Sequence, residues 1–242
     1  MREIRVGTSG WSYPHWRGRF YPEGLAADQE LEYYAGVFDT VELNTTFYHT
    51  VRESTAQKWH DRTPPGFRFA VKGNRYLTHN RKLHDCAEPL QLQRRSLAPL
   101  AEKLGPLLWQ LPPNFGADLP RLADFLALKP PRERWAWEFR HESWFCAEVY
   151  AVLREHHCAL VWADGPAQPP DPPAPTDFLY VRFHGLAASD AGNYSEQDLR
   201  TWAQRLQAAG EDRDLYAYFN NDYQAYAPAN AARLRELLSE GR

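Results

Sequence analysis

The sequence predicts an α/β protein, a single (β/α)8 barrel of the TIM type spanning residues 1–242. Three observations predict it. Eight strand-length runs rich in β-branched and aromatic residues recur along the chain, each bounded by Gly, Pro, Asn or Asp. Helix-period stretches separate most of them, and strand–helix alternation of this kind makes a parallel sheet. The length of 242 residues suits one barrel, which commonly takes ~250.

In order, the first strand covers 4–9 and is followed by a helix over 25–38, where Leu31, Tyr34, Ala35 and Phe38 share a face. Strand two covers 40–47. A short helix over 54–62 is stopped by Thr63-Pro64-Pro65, because proline ends a helix and restricts the residue before it. Strand three is 67–73, and the helical stretch 88–104 holds Pro99, which predicts a kink or two pieces. After strand four (107–111), Asp118 caps a helix over 119–128 that ends at Lys129-Pro130-Pro131. Strand five (135–140) leads into a helix over 145–156, and strand six is 159–164. Strand seven (178–185) precedes a helix over 196–209, with Ser195 and Asp198 as its capping box and Gly210 as its stop. Strand eight (215–220) and a helix over 229–238 complete the series. The crossover between strands six and seven departs from the pattern. Residues 165–175 hold six prolines, so a coil lacking a regular helix is expected there. An open doubly wound sheet is the structural alternative, but no G-x-G-x-x-G follows strand one.

The formal charge of -3 argues against a whole-surface field for duplex nucleic acid. Cys86, Cys146 and Cys158 form no C-x-x-C and no zinc spacing, so a reduced, cytoplasmic compartment is expected. The start, Met1-Arg2-Glu3-Ile4-Arg5-Val6, enters a strand pattern without the apolar run of a signal peptide. No later run is long and apolar enough for a bilayer, so no membrane partner is expected.

Barrel strands alternate between a face toward the helices and a face toward the interior. With Trp135, Trp137 and Phe139 facing the helices, Glu138 and Arg140 face inward. The same parity turns Glu42 and Asn44 inward on strand two and Lys72 on strand three. Gln110 on strand four, Asp164 on six, Arg182 and His184 on seven and Asn220 on eight complete the set. Nearly all occupy the last half of their strand, the end where barrel active sites form. Buried charges must pair or meet water, so a structural ion-pair plug is the plain alternative to a ligand site. Around them, Trp11, Tyr13, Trp16, Phe47, Tyr48, Trp144, Tyr194 and Tyr223 fall on or near mouth loops, where aromatics could stack a sugar or base. The loop after strand three, 74–84, carries Arg75, His79, Arg81, Lys82 and His84, a rim suited to an anion. Arg75 and His79 are its expected contributors; Arg81 and Lys82 read as solvated.

The segments that carry these residues resemble a known family. They are Val6-Gly7-Thr8-Ser9-Gly10-Trp11, Val41-Glu42-Leu43-Asn44-Thr45-Thr46-Phe47-Tyr48, Phe69-Ala70-Val71-Lys72 and Trp109-Gln110-Leu111-Pro112-Pro113, followed by Glu138-Phe139-Arg140-His141-Glu142-Ser143-Trp144, Tyr180-Val181-Arg182-Phe183-His184-Gly185 and Tyr218-Phe219-Asn220-Asn221. In order and over essentially the whole chain, they resemble the YecE-like family, known as a domain of unknown function, number 72. The resemblance implies a TIM-type barrel and supplies no reaction.

The leading functional expectation is an enzyme doing acid–base chemistry, in a hydrolase, lyase or isomerase manner, on a polar anionic small molecule such as a sugar, sugar phosphate or nucleotide. Glu42 and Glu138 are the expected acid and base, with a glycosidase-like pair as the narrow version. Lys72 holds negative charge, and His184 moves a proton; an amine nucleophile at Lys72 is the lesser alternative, since nearby glutamates would hold it protonated. Asn44, Arg75, Gln110, Arg140, Asp164, Arg182, Asn220, Trp11, Tyr48 and Trp144 are the expected substrate contacts. No cofactor is expected. A divalent metal on Glu42, Glu138, Asp164 and His184 is an alternative that Lys72, Arg140 and Arg182 would oppose. A single-stranded nucleic-acid-binding protein and a non-catalytic ligand-binding protein are the readings from other classes.

Overall fold

The computed structural model describes residues 2–164, 176–185, 192–210 and 212–240. Its strands are β1 (Ile4–Thr8), β2 (Thr40–Leu43), β3 (Arg68–Lys72), β4 (Leu104–Gln110), β5 (Trp135–Glu138), β6 (Ala159–Leu160), β7 (Trp162–Ala163), β8 (Phe178–Phe183) and β9 (Asp214–Phe219). Every pairing among them is parallel. One sheet runs β1-β9-β8-β7 and the other β2-β3-β4-β5-β6. The expected sixth strand is thus two short pieces, β6 on β5 and β7 on β8, with Val161 between them. At the other seam Ser9 bridges Glu42, and the Gly10 amide donates to the Glu42 carbonyl at 2.8 Å. That approach needs Gly7, since a Cβ there would lie 2.3 Å from the Thr40 carbonyl oxygen.

The helices are α1 (Glu30–Val37), α2 (Thr45–Tyr48), α3 (Glu53–Asp61), α4 (Ala87–Leu97), α5 (Leu119–Leu126), α6 (Ala147–Glu155), α7 (Glu196–Ala209) and α8 (Tyr226–Glu240). Local signals account for several boundaries. The Asp118 side chain accepts from the Arg121 amide at the start of α5. Ser195 and Asp198 form both halves of the capping box on α7. The stretch holding Pro99 splits after Leu97 into a tighter helix whose Ala101 has φ 48°, the two pieces that Pro99 predicts. The second strand ends earlier than the sequence suggests. Asn44 turns to φ -93°, ψ -22°, and the Thr46 hydroxyl meets the Leu43 and Lys72 carbonyls, so Thr45–Tyr48 coils into α2. The proline-rich crossover, 165–175, lies outside the described residues.

The alternation read from the strands is realised as two apolar clusters. Trp135, Trp137, Phe139, Val41, Leu43, Phe69, Val71, Trp109, Val181 and Phe219 pack with residues of the helices. Their alternates Ala70, Leu108, Ala136, Ala159, Val161, Ala163, Phe178, Tyr180, Tyr216 and Tyr218 form a second cluster drawn from both sheets. Its upper boundary, at the C-terminal strand ends, is polar. Among the described residues no helix is long and apolar enough to cross a membrane.

Candidate functional site

Arg182, near the end of β8, organises the polar layer. Its Nε and Nη2 fork onto Glu42 from β2, at 3.0 Å to Oε2 and 2.8 Å to Oε1. Its Nη1 reaches Glu138 Oε2 from β5 at 2.6 Å. The guanidinium plane suits such two-sided pairing. Ser9 Oγ and Tyr180 Oη each donate to Glu42 at 2.7 Å, so four donor groups converge on one fully buried carboxylate. Sequence reasoning missed Ser9 and Tyr180, although counting in twos back from Arg182 and onward from Gly7 reaches both. Arg140 Nε donates to Glu138 Oε1 at 3.0 Å while its own side chain is 41% exposed. Every oxygen of the two carboxylates therefore has an arginine.

The charges respond accordingly. Burial alone would push Glu138 up, but Arg182, His184 and Arg140 outweigh it and hold the carboxyl at about 2. Glu42 is lowered too, burial being overcome by Arg182 and by hydrogen bonds from Tyr180 and Ser9. Neither carboxyl keeps a proton to donate near neutral pH. Lys72 behaves in the opposite way to the expectation of a firmly protonated amine. Burial, helped by the Arg182 charge, outweighs attraction to Glu138 and Glu42 and lowers it to about 8. Its Nζ lies 4.2 Å over the Phe47 ring and is without a hydrogen-bonding or ion-pair partner among the described residues. Burial and Arg182 likewise lower His184, which is neutral around pH 7. Asn220 Nδ2 sits 3.2 Å from His184 Nδ1, which leaves the ring proton on Nε2. That Nε2 is buried, has no hydrogen-bond partner and lies 3.8 Å from Glu138 Oε1. Asn44 Oδ1 is a second buried polar atom without a partner, lining a 140 Å³ recess with Trp11, Ser12 and Tyr13.

Other expected contacts fall elsewhere. Asp164 is fully buried and accepts from the His184 and Gly185 amides and from Tyr194 Oη, which fixes the turn after β8. Trp144 is not a rim residue. It is fully buried, stacks on Phe139 at 4.7 Å and donates to the Phe115 carbonyl at 2.6 Å. Tyr194 and Trp16 are buried as well, the latter donating to Asp222 at 2.7 Å. These three form polar bonds through their tips, the usual condition for burying such side chains. Tyr48, 60% exposed, and Tyr223, 68% exposed, stay on the surface, and Trp11 is half-buried against Trp59. Trp144→Ala is expected to cost about 3–5 kcal/mol of stability, whereas Tyr48→Ala should stay within about 0.5 kcal/mol. Urea denaturation of the two variants checks this, and equal losses would contradict it.

Gln110 is buried beside Glu138 in the β4–β5 ladder. Arg75 is exposed after β3. His79, in the wide helical turn Tyr76–Asn80, is driven down to about 4 by burial and by the nearby Lys72, Arg75 and Arg140 charges. It therefore adds no positive charge to the rim. Arg81 and Lys82 are tied to Tyr76 Oη and the Asn114 carbonyl. Burial raises the Cys86 thiol to about 11 and the Cys158 thiol to about 12, so neither is a ready nucleophile. Among the described residues no group of three His, Cys, Asp or Glu side chains could hold a metal ion. The alternative set is divided, with Asp164 on loop amides and Glu42 enclosed by Arg182.

Parallel sheets whose strand ends carry a buried arginine–dicarboxylate centre define an α/β protein with a polar site at the C-terminal strand ends. The chain belongs to the family described as Protein of unknown function DUF72, whose model matches residues 5–242. It is similar to UPF0759 protein YunF of Bacillus subtilis (strain 168), 26% identical over 97% of this chain and 94% of that one. UPF0759 protein YecE of Escherichia coli (strain K12) is 32% identical over 59% of this chain and 50% of that protein. A DUF72 family protein from Thermotoga maritima MSB8 superposes with a TM-score of 0.86 at 32% identity, covering 98% of this chain and 100% of that one. A second, from Enterococcus faecalis V583, reaches 0.79 at 22% identity, covering 98% and 95%, and speaks for the fold alone.

Proposed function

We propose that the two sheets are arcs of one closed eight-stranded barrel in a single domain, and that its C-terminal mouth is the active site of an enzyme performing proton-transfer chemistry on an anionic small molecule. The Ser9–Glu42 bridge at one seam and the division of 159–163 between β5 and β8 at the other support the closure. The carrying observation for chemistry is His184 Nε2, buried, without a hydrogen-bond partner and 3.8 Å from Glu138 Oε1, together with the Lys72 amine, which has no hydrogen-bonding or ion-pair partner among the described residues. A purely structural plug would satisfy the His184 nitrogen, because an unpaired buried polar atom is costly.

The roles differ from those read from sequence. Glu42 positions Arg182 and touches no substrate. Glu138 stays ionised, which removes the glycosidase-like pair, since that chemistry needs one carboxyl to hold a proton. Lys72, at about 8, is the group tuned near working pH, where acid–base efficiency is greatest. The neutral His184 donates from Nε2 to a developing oxyanion, and Arg140 and Arg75 hold the substrate's negative charge.

A thermal-shift screen of sugar phosphates, nucleotides and organic acids tests this reading. At a hundredfold excess over Kd a true ligand adds about 2.7 kcal/mol, which for a chain of this size raises Tm by roughly 5–10 °C. The shift should fall in Arg75→Ala and Arg140→Ala. If no anion moves Tm at millimolar concentration, the mouth is not an anion site.

A further inference from the structure

We propose that Lys72 is an imine-forming nucleophile whose substrate is a small aldehyde or ketone carrying a carboxylate or phosphate. The inference rests on the mouth being the active site and assigns its substrate class. A lysine placed only to balance charge would sit on a carboxylate, and two lie within electrostatic reach. Both are already taken. Arg182 covers Glu42 Oε1 and Oε2 and Glu138 Oε2, and Arg140 covers Glu138 Oε1. The amine is instead held over the Phe47 ring at the C-terminal end of β3, half-buried and without a hydrogen-bonding or ion-pair partner among the described residues. Arginines, which keep their protons, have been given the pairing role; Lys72, which can lose one, has no carboxylate partner among the described residues.

The surroundings fit the chemistry. At about 8, roughly one-tenth of the amines are neutral at pH 7, against well under one in a thousand for an ordinary lysine. His184 presents an unpartnered Nε2 proton, fixed by the Asn220 contact at Nδ1, and can hydrogen-bond the substrate's carbonyl oxygen. The neutral lone pair of Nζ attacks the carbonyl carbon, and the π electrons move to that oxygen, which takes up a proton. Nζ gives up one proton to solvent, a second proton reaches the hydroxyl, and water leaves as the C=N bond forms. The sum is carbonyl compound plus protonated lysine giving protonated imine plus water, with no oxidant or reductant. Arg140, held on Glu138 but 41% exposed, and Arg75 on the next loop provide for the substrate's anionic group.

The test is reductive trapping of the full chain with glyoxylate, and separately with glycolaldehyde phosphate, in the presence of cyanoborohydride, read by intact mass and peptide mapping. The expected result is labelling of Lys72 at least tenfold faster than of the exposed Lys58, with a rate that rises up to about pH 8, levels off above it, and falls when inorganic phosphate is added. Lys72→Arg should remove that adduct while leaving Tm close to that of the parent protein, and Lys72→Met provides a second folded control. Labelling spread evenly over surface lysines, or unchanged in Lys72→Arg, overturns the proposal. Stabilisation by anions without a Lys72 adduct would reduce Lys72 to a charge holder and leave the anion site standing. Absence of both effects would remove the two together.

Discussion

Replacing Arg182 by methionine is expected to cost at least about 3–5 kcal/mol, the range for breaking a buried ion pair, because one guanidinium pairs with two enclosed carboxylates. Glu42 is fully buried and Glu138 is 4% exposed, so neither can recover its lost partner from water. The pH dependence should reverse as well. In the parent protein Glu138 falls from 4.5 to about 2 on folding, worth roughly 3 kcal/mol. A carboxyl lowered in this way contributes stability above pH 4.5 that is lost as pH falls toward 2. Without Arg182, burial dominates and raises both carboxyls, so the variant should gain stability as pH falls from 7 toward 5. Urea titrations at several pH values read both effects. A variant that unfolds with the parent's midpoint, or that weakens further on mild acidification, would show that the arginine does not hold the carboxylates.

Lys72→Met should do the opposite to stability while abolishing any chemistry at the mouth. The fall from 10.5 to about 8 means that the folded state disfavours the ammonium, mainly through burial and then through Arg182. Methionine keeps the stem's apolar contact with Phe47 and removes that penalty. Stability should therefore be unchanged or rise, by up to about 2 kcal/mol at pH 7. The parent should itself gain stability between pH 8 and 10.5, where the folded form has released a proton that the unfolded chain still binds. That gain should be smaller in the variant. A loss of more than about 1 kcal/mol in Lys72→Met would mean that the lysine makes a favourable pairing, and its role as a reserved nucleophile would be lost with it.

Much of the site was legible from strand alternation. Glu42, Lys72, Glu138 and Arg182 do face one another because residues two apart share a face of a strand, a property of the backbone. Period-two reasoning also covers Ser9 and Tyr180, whose hydroxyls carry no charge to mark them as part of an ion-pair centre. The rim was less legible. Trp144, Tyr194 and Trp16 all follow or precede strand ends as mouth residues would, yet each turns inward to a specific acceptor: Phe115, Asp164 and Asp222. Those acceptors are distant in sequence, and no local signal announces them. Asp164 is read as a substrate contact for the same reason, whereas it accepts from amides of a loop reached only after β8 and from Tyr194.

By itself the sequence determined an α/β chain with parallel strands, the helix caps at Asp118 and Ser195, the break at Pro99 and the convergence of charged residues on one end. These follow from backbone geometry and from interactions within a few residues. Only the tertiary structure decided how the charges divide. Arg182 and Arg140 take every carboxylate oxygen, Glu138 drops to about 2, Lys72 is left unpaired at about 8 and the His184 proton is directed by Asn220. Protonation depends on desolvation and on distances of a few ångströms between strands far apart in the chain. The sequence could place acid, base and cation together, but which of them can exchange a proton is set by packing.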